Sequence, residues 1–161
     1  MDVAQYGRGL KDKMTTDSTV LNPVTLVDGC FDPLHEGHIE YFSEARNLGF
    51  PVLCAIQTDD YIRSVKRRKA ILSQDQRLRV ISSVRYIDSA MITEGSTLNV
   101  IQKIKPAIYF KGKDWEMKGL PKEEVDFCKV IGIKILFGAR TLNSSTIIYN
   151  KVKHDLKTDI P

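Results

Sequence analysis

Apolar and polar positions follow two rhythms along the chain. Short apolar runs rich in β-branched and aromatic residues recur at Val24–Val27, Val52–Ile56, Ile87–Ile92, Ala107–Phe110 and Ile133–Phe137. Runs of this length, bounded by polar or turn residues, predict buried strands. Between them the spacing changes to three and four. Ile39, Phe42, Ala45 and Leu48 predict a helix over 38–48 with Gly49 as its stop, and Asp59–Val65 reads as a short helix. Ser73 with Gln76 forms a capping box for a helix that continues through Leu78, Ile81 and Val84. Ser96 caps a helix carrying Leu98, Ile101 and Ile104. Pro121 suits the first turn of a helix that carries Val125, Phe127 and Val130 and ends at Gly132. A last helix begins near Ser144.

Strand and helix therefore alternate. The simplest architecture is α/β: a doubly wound, parallel, five-stranded sheet in a single domain, with right-handed crossovers and helices on both faces. In such a sheet ligands bind at the carboxyl ends of the strands, so the loops after the strands are where chemistry is expected. Residues 1–22 carry neither rhythm and are polar, with Gly7 and Gly9. They read as a flexible N-terminal arm ahead of a domain spanning 23–161.

The 161 residues suit one domain. No apolar run approaches the roughly 18–20 residues of a membrane helix, and no secretory h-region is visible, so the expected setting is cytoplasmic. Cys30, Cys54 and Cys128 are scattered, against a disulfide framework or a structural zinc site. A net charge of +4 is too small to hold nucleic acid by charge alone, yet fits a pocket for a small polyanion.

The loop after the first strand reads Asp28-Gly29-Cys30-Phe31-Asp32-Pro33-Leu34-His35-Glu36-Gly37-His38. Gly29 permits close backbone approach, and Gly37 lets a ligand lie against the helix start. That helix start offers free N–H groups and a positive dipole end, which suits phosphate. His35 and His38, three apart, face the same place and can offset charge that grows during phosphoryl or nucleotidyl transfer. Two histidines at this spacing also suit a metal pair or an ordinary surface, but no third ligand lies nearby.

GCFDPLHEGH resembles the HxGH loop of the nucleotidyltransferase superfamily, and of its cytidylyltransferase branch in particular. The resemblance runs from about Val24 to Val152. It is nearest to glycerol-3-phosphate cytidylyltransferase, through Asp60–Asp88 with its Arg77 and Arg85-Tyr86-Ile87-Asp88, and to the heptose-phosphate adenylyltransferase domain. Lys111-Gly112-Lys113-Asp114-Trp115 blends the two. Aminoacyl-tRNA synthetases of the HIGH class are more distant. They require a KMSKS-like loop downstream, whereas Lys13-Met14-Thr15 lies upstream.

The resemblance implies a Rossmann-like fold and a set of site residues. His35, His38 and Lys66 would be catalytic, with Lys66 contacting phosphates across the site. Gly29, Cys30, Phe31, Asp32 and Gly37 would form the nucleotide-binding loop, Asp32 orienting it or helping to hold Mg²⁺. Arg68 and Lys69 lie in the family's basic loop, whose mobile cations steady a leaving pyrophosphate. Alone, Lys66-Arg67-Arg68-Lys69 would read as a solvated basic turn. Lys111, Gly112 and Asp114 would wall the nucleotide pocket, with Asp114 accepting from an exocyclic amine. Trp115, the sole tryptophan, reads by default as a core anchor. Arg140, Thr141, Ser145 and Thr146 match the phosphate-binding motif RTxGISTT, and Ser144 belongs to the same helix start. Asn143 replaces the motif's glycine and Ile147 its last threonine. Hydroxyls there are also plain capping signals. Arg85 matches an acceptor-site arginine, with a surface ion pair as the plain alternative.

The expected activity is cytidylyl transfer from CTP, with Mg²⁺, to a phosphorylated polyol or sugar, giving a CDP-linked product and pyrophosphate. ATP is the alternative nucleotide, and a catalytically silent nucleotide-binding subunit is a further one. Partners are then a nucleoside triphosphate and a phosphorylated small molecule, without nucleic acid or membrane, in a homodimer as in the relatives. Thr93–Thr97 lacks the lysine that reaches acceptor phosphate in the glycerol-3-phosphate enzymes.

Overall fold

The computed structural model describes residues 22–93, 95–140 and 144–158. The arm expected over 1–22 lies outside them except for Asn22, which opens the first strand, and Thr141 lies outside them too. The elements in order are β1 (Asn22–Gly29), α1 (Glu36–Arg46), β2 (Val52–Ile56), α2 (Asp59–Val65), α3 (Gln74–Ser82), β3 (Ser89–Ile92), α4 (Thr97–Ile104), β4 (Pro106–Lys111), α5 (Asp114–Lys118), α6 (Lys122–Ile131), β5 (Lys134–Phe137) and α7 (Ser145–Thr158).

All five strands are parallel, in the order β3-β2-β1-β4-β5. The chain first steps outward from β1 to β3, then returns to β4 on the other side of β1. The reversal leaves a crevice at the carboxyl ends of β1 and β4, the topological switch point of an open α/β sheet. Alternation along β1 builds a core layer on each face. Val27 packs with Phe42 and Ala45 of α1 and Ile81 of α3 on one side. Leu26 packs with Val100, Ile101 and Ile104 of α4 and Cys128 of α6 on the other. Leu26, Phe42 and Ile101 are fully buried, each worth roughly 2 kcal/mol of transfer energy.

The capping signals act where the sequence places them. Ser73 and Gln76 form both bonds of the capping box, and the Ser96 side chain accepts from the Asn99 N–H. Three of the shifts in element boundaries have a plain local cause. The α1 helix starts two residues earlier, because His35 takes the extended N-cap conformation. Ile87 is buried in a turn closed by its N–H to the Val84 carbonyl, so β3 begins only at Ser89. Pro121 is the N-cap of α6 rather than part of its first turn, since its ψ of 134° lies outside the helical region.

Candidate active site

A cavity of about 570 Å³ opens at the switch point. Its floor is the end of β1, and its walls come from α1, the loop after β4, α6 and the start of α7.

The loop after β1 is shaped around Phe31, which takes a left-handed φ of 51° and turns its ring inward, leaving the residue 3% exposed. A Cβ on Gly29 would lie 2.9 Å from that ring, so glycine is required there for packing. The Phe31 ring meets His38 edge-on, with centroids 5.0 Å apart, and His38 in turn stacks on His35 at 3.7 Å. His35 gives α1 no side-chain cap, and the His38 N–H turns back to the His35 carbonyl at 2.9 Å, which leaves the N–H groups of Glu36 and Gly37 for a ligand. Both His35 nitrogens and His38 Nδ1 are shielded from solvent without a hydrogen-bond partner among the described residues. Burial lowers the pKa of His35 and, with His35 beside it, pushes His38 down to about 3. Without ligand the pair is therefore neutral at pH 7, and each ring holds one N–H donor.

Behind the loop lies a buried scaffold. The Asp32 carboxylate is fully buried, and it accepts from Arg68 at 2.6 Å and from the backbone N–H groups of Ile71 and Leu72. Its oxygens are thus taken up in fastening the basic segment to the loop. Arg77, 1% exposed, donates to the carbonyls of Cys30, Gln57 and Leu72 and pairs with Asp59 at 2.7 Å. It ties the ends of β1 and β2 to the start of α3. Arg68 also lies 4.9 Å from the Tyr149 ring of α7.

The start of α7 is held in the same way. Ser145 donates its hydroxyl to the Pro33 carbonyl at 2.9 Å, and Ser144 accepts from the Ile147 N–H. Glu44 of α1 accepts from the Ala139 N–H, which draws the loop after β5 toward the cavity. Arg140, Ser144, Ser145 and Thr146 all line the cavity.

On the far side the wall is polar and buried. Lys111 Nζ pairs with Asp28 at 2.6 Å, and both side chains are 6% exposed. Thr97 donates to Asp28 at 3.1 Å and accepts from Gln57 at 3.0 Å. The Tyr109 hydroxyl lies 3.0 Å from Glu124 and 3.3 Å from Asp28. Burial and the Asp28 charge raise the Glu124 pKa, while burial raises that of Tyr109.

Of the residues read from sequence, His35, His38, Lys66, Gly29, Cys30, Phe31, Gly37, Arg68, Lys111, Gly112, Asp114, Arg140, Ser144, Ser145 and Thr146 line this one cavity. Asp32 does not line it; its carboxylate fastens Arg68 and the Ile71 and Leu72 backbone to the loop. Lys69 is exposed and outside the lining. Arg85 is also outside. It follows the end of α3 and lies on Tyr86, its guanidinium donating to the Tyr86 hydroxyl and 4.8 Å from that ring. Lys111 lines the cavity with its ammonium paired to Asp28. Asp114 accepts from Lys118 at 2.6 Å, and its Oδ1 fills the space a Cβ on Gly112 would need. Trp115 is a wall residue rather than a core anchor, with Lys111 Nζ 4.6 Å from its ring. Asp28, Gln57, Tyr61, Thr97, Tyr109 and Glu124 join the lining without having been singled out in the sequence. The one local hint was Asp28 at the carboxyl end of a strand.

Among the described residues no group of three or more His, Cys, Asp or Glu side chains could hold a metal ion. The Asp32 carboxylate is engaged by Arg68 and by the Ile71 and Leu72 N–H groups. No helix among the described residues is long and apolar enough to cross a membrane.

Residues 26–155 match the family described as cytidylyltransferase-like. The chain is 34% identical over 143 residues to the bifunctional protein HldE of Campylobacter concisus, a match covering 84% of this chain and 28% of that protein. It is 32% identical over 104 residues to the bifunctional protein HldE of Geobacter sulfurreducens, covering 63% of this chain and 21% of that protein. The chain thus spans about a quarter of the length of these curated relatives. The lipopolysaccharide core biosynthesis protein of Thermoplasma volcanium shares the fold, with a TM-score of 0.63 and 24% identity over 75% of this chain and 98% of that one.

Proposed function

Because the chain belongs to the cytidylyltransferase-like family, we propose that it transfers a nucleotidyl group from ATP to the phosphate of a sugar, releasing pyrophosphate. ATP takes precedence over the CTP expected from the loop motif. The curated relatives are HldE proteins, and the resemblance to the heptose-phosphate adenylyltransferase domain implies ATP. CTP is the second reading, supported by the cytidylyltransferase-like stretch Asp60–Asp88.

The observation that carries the proposal is the stacked His35–His38 pair at the uncapped start of α1, in one cavity with Lys66 and Arg140. In the reaction an acceptor phosphate oxygen attacks the α-phosphorus in line. A new P–O bond forms as the bond to pyrophosphate breaks, and the bond's electrons leave with the pyrophosphate. The acceptor oxygen is already anionic, so no general base is needed. What is needed is orientation and charge stabilisation. The histidine N–H groups and the N–H groups at the start of α1 donate to α-phosphate oxygens. As charge gathers there, the depressed histidine pKa values rise toward neutrality and the rings gain charge where it helps. Lys66 and Arg140 balance the departing pyrophosphate. Mg²⁺ enters as the triphosphate's own counter-ion. The test is pyrophosphate release from ATP or CTP with a panel of sugar and polyol phosphates, with His38→Ala as the impaired control.

A further inference from the structure

The cavity has two chemically different ends. One carries the histidine pair, Lys66, Arg140 and the helix starts, and suits phosphate. The other, on the face covered by α4 and α6, carries two carboxylates, and its one buried cation is already paired with Asp28. Among these buried groups the two carboxylates outnumber Lys111, which disfavours a triphosphate against this wall. Gln57, Tyr109 and Glu124 are all more than nine-tenths buried there. Their hydrogen bonds run in one sequence: Gln57 donates to Thr97, Thr97 to Asp28, and Tyr109 to Glu124 Oε2. Gln57 and the Asp28 and Glu124 carboxylates line the cavity beside these bonds. An ionised carboxylate only accepts hydrogen bonds, so this wall suits a ligand that brings donors. Uncharged hydroxyl groups supply them, whereas a carboxylate or second phosphate would meet Asp28 and Glu124.

We propose that Asp28, Gln57, Thr97, Tyr109 and Glu124 form the subsite that binds the hydroxylated carbon skeleton of the acceptor and selects a neutral sugar over an acidic one. This rests on the nucleotidyl-transfer reading above and deepens it, for the acceptor then runs from this wall to the histidines, where its phosphate meets the nucleotide. The raised Glu124 pKa agrees with a wall that tolerates little negative charge.

The test is titration calorimetry on the full chain with three probes: α,β-methylene-ATP, neutral aldose 1-phosphates (glucose and mannose), and glucuronate 1-phosphate. The wild type is expected to bind a neutral aldose phosphate at least tenfold more tightly than glucuronate 1-phosphate. Glu124→Leu should lose tenfold or more of that affinity while keeping the affinity for the ATP analogue within twofold. Thr97→Val, which leaves Tyr109 and Glu124 paired, should lose aldose phosphate in the same sense and covers the case in which Glu124→Leu does not fold. The proposal is overturned if the variants weaken the ATP analogue instead, which would put the nucleoside at this wall. Unchanged or absent aldose phosphate binding overturns it too. Failure of the analogue to bind the wild type, with aldose phosphate still bound through Glu124, would strike the nucleotidyl-transfer reading and leave the subsite standing.

Discussion

The imidazoles of His35 and His38 stack with centroids 3.7 Å apart and planes 24° from parallel, so a ligand meets them as one unit. Groups that act as a unit give strongly non-additive losses. His35→Ala or His38→Ala alone should lower kcat about 10²–10³-fold, the usual scale for removing a preorganised donor. The double variant should lose much less than the product of the two. Pyrophosphate release at saturating nucleotide measures this, and strict multiplicativity would contradict paired action.

The pair also predicts an acid-sensitive fold. His38 titrates near 3 in the folded chain against an ordinary value of 6.5, and His35 shifts the same way. Between those values the unfolded chain holds a proton that the folded chain refuses. The His38 contribution is therefore fully present above about pH 6.5 and is lost at about 1.4 kcal/mol per pH unit between roughly pH 6 and 4. Urea unfolding of wild type and His38→Asn across that range should show a shallower pH slope in the variant. Equal slopes would contradict a neutral buried His38.

Arg77 predicts a stability loss with no direct part in chemistry. Its guanidinium serves three carbonyls and Asp59 from a fully buried position. Arg77→Met leaves those acceptors without their donor and should cost about 3–5 kcal/mol. Chemical denaturation checks this, and a loss under 1 kcal/mol would contradict its role as the tie between β1, β2 and α3.

Much of this architecture was legible in the sequence, because it rests on local signals. The runs Val52–Ile56 and Asp59–Val65 coincide with β2 and α2, and the Ser73 and Ser96 caps act as read. The His35–His38 loop was found for the same reason: its motif is continuous. The α5 helix was not, since its five residues DWEMK have no apolar period. The polar wall was not either. Asp28 and Lys111 meet across 83 positions of sequence, and Tyr109 reaches Glu124 only through the packing of β4 against α6. Arg85, matched by resemblance to an acceptor-site arginine, lies outside the cavity lining, because α3 ends at Ser82 and the arginine's guanidinium donates to the Tyr86 hydroxyl.

Gly29 tests whether the loop positions the histidines. A Cβ there presses on the Phe31 ring, whose edge meets His38. Gly29→Ala should lower kcat tenfold or more while nucleotide affinity changes little, since a small misplacement of reacting groups is costly. The split between kcat and nucleotide KM is the readout. A rise in KM alone would mean that Phe31 does not set the position of His38.

The central claim is nucleotidyl transfer to a phosphorylated sugar at the His35–His38 site, with ATP preferred. It is tested most directly by pyrophosphate release from purified protein given ATP or CTP, Mg²⁺ and a panel of sugar and polyol phosphates. The account predicts release that requires both a nucleotide and a sugar phosphate, is faster with ATP than with CTP, and falls about 10²–10³-fold in His38→Ala. Nucleotide binding without pyrophosphate release across the whole panel would contradict it and mark the chain as a silent nucleotide-binding subunit.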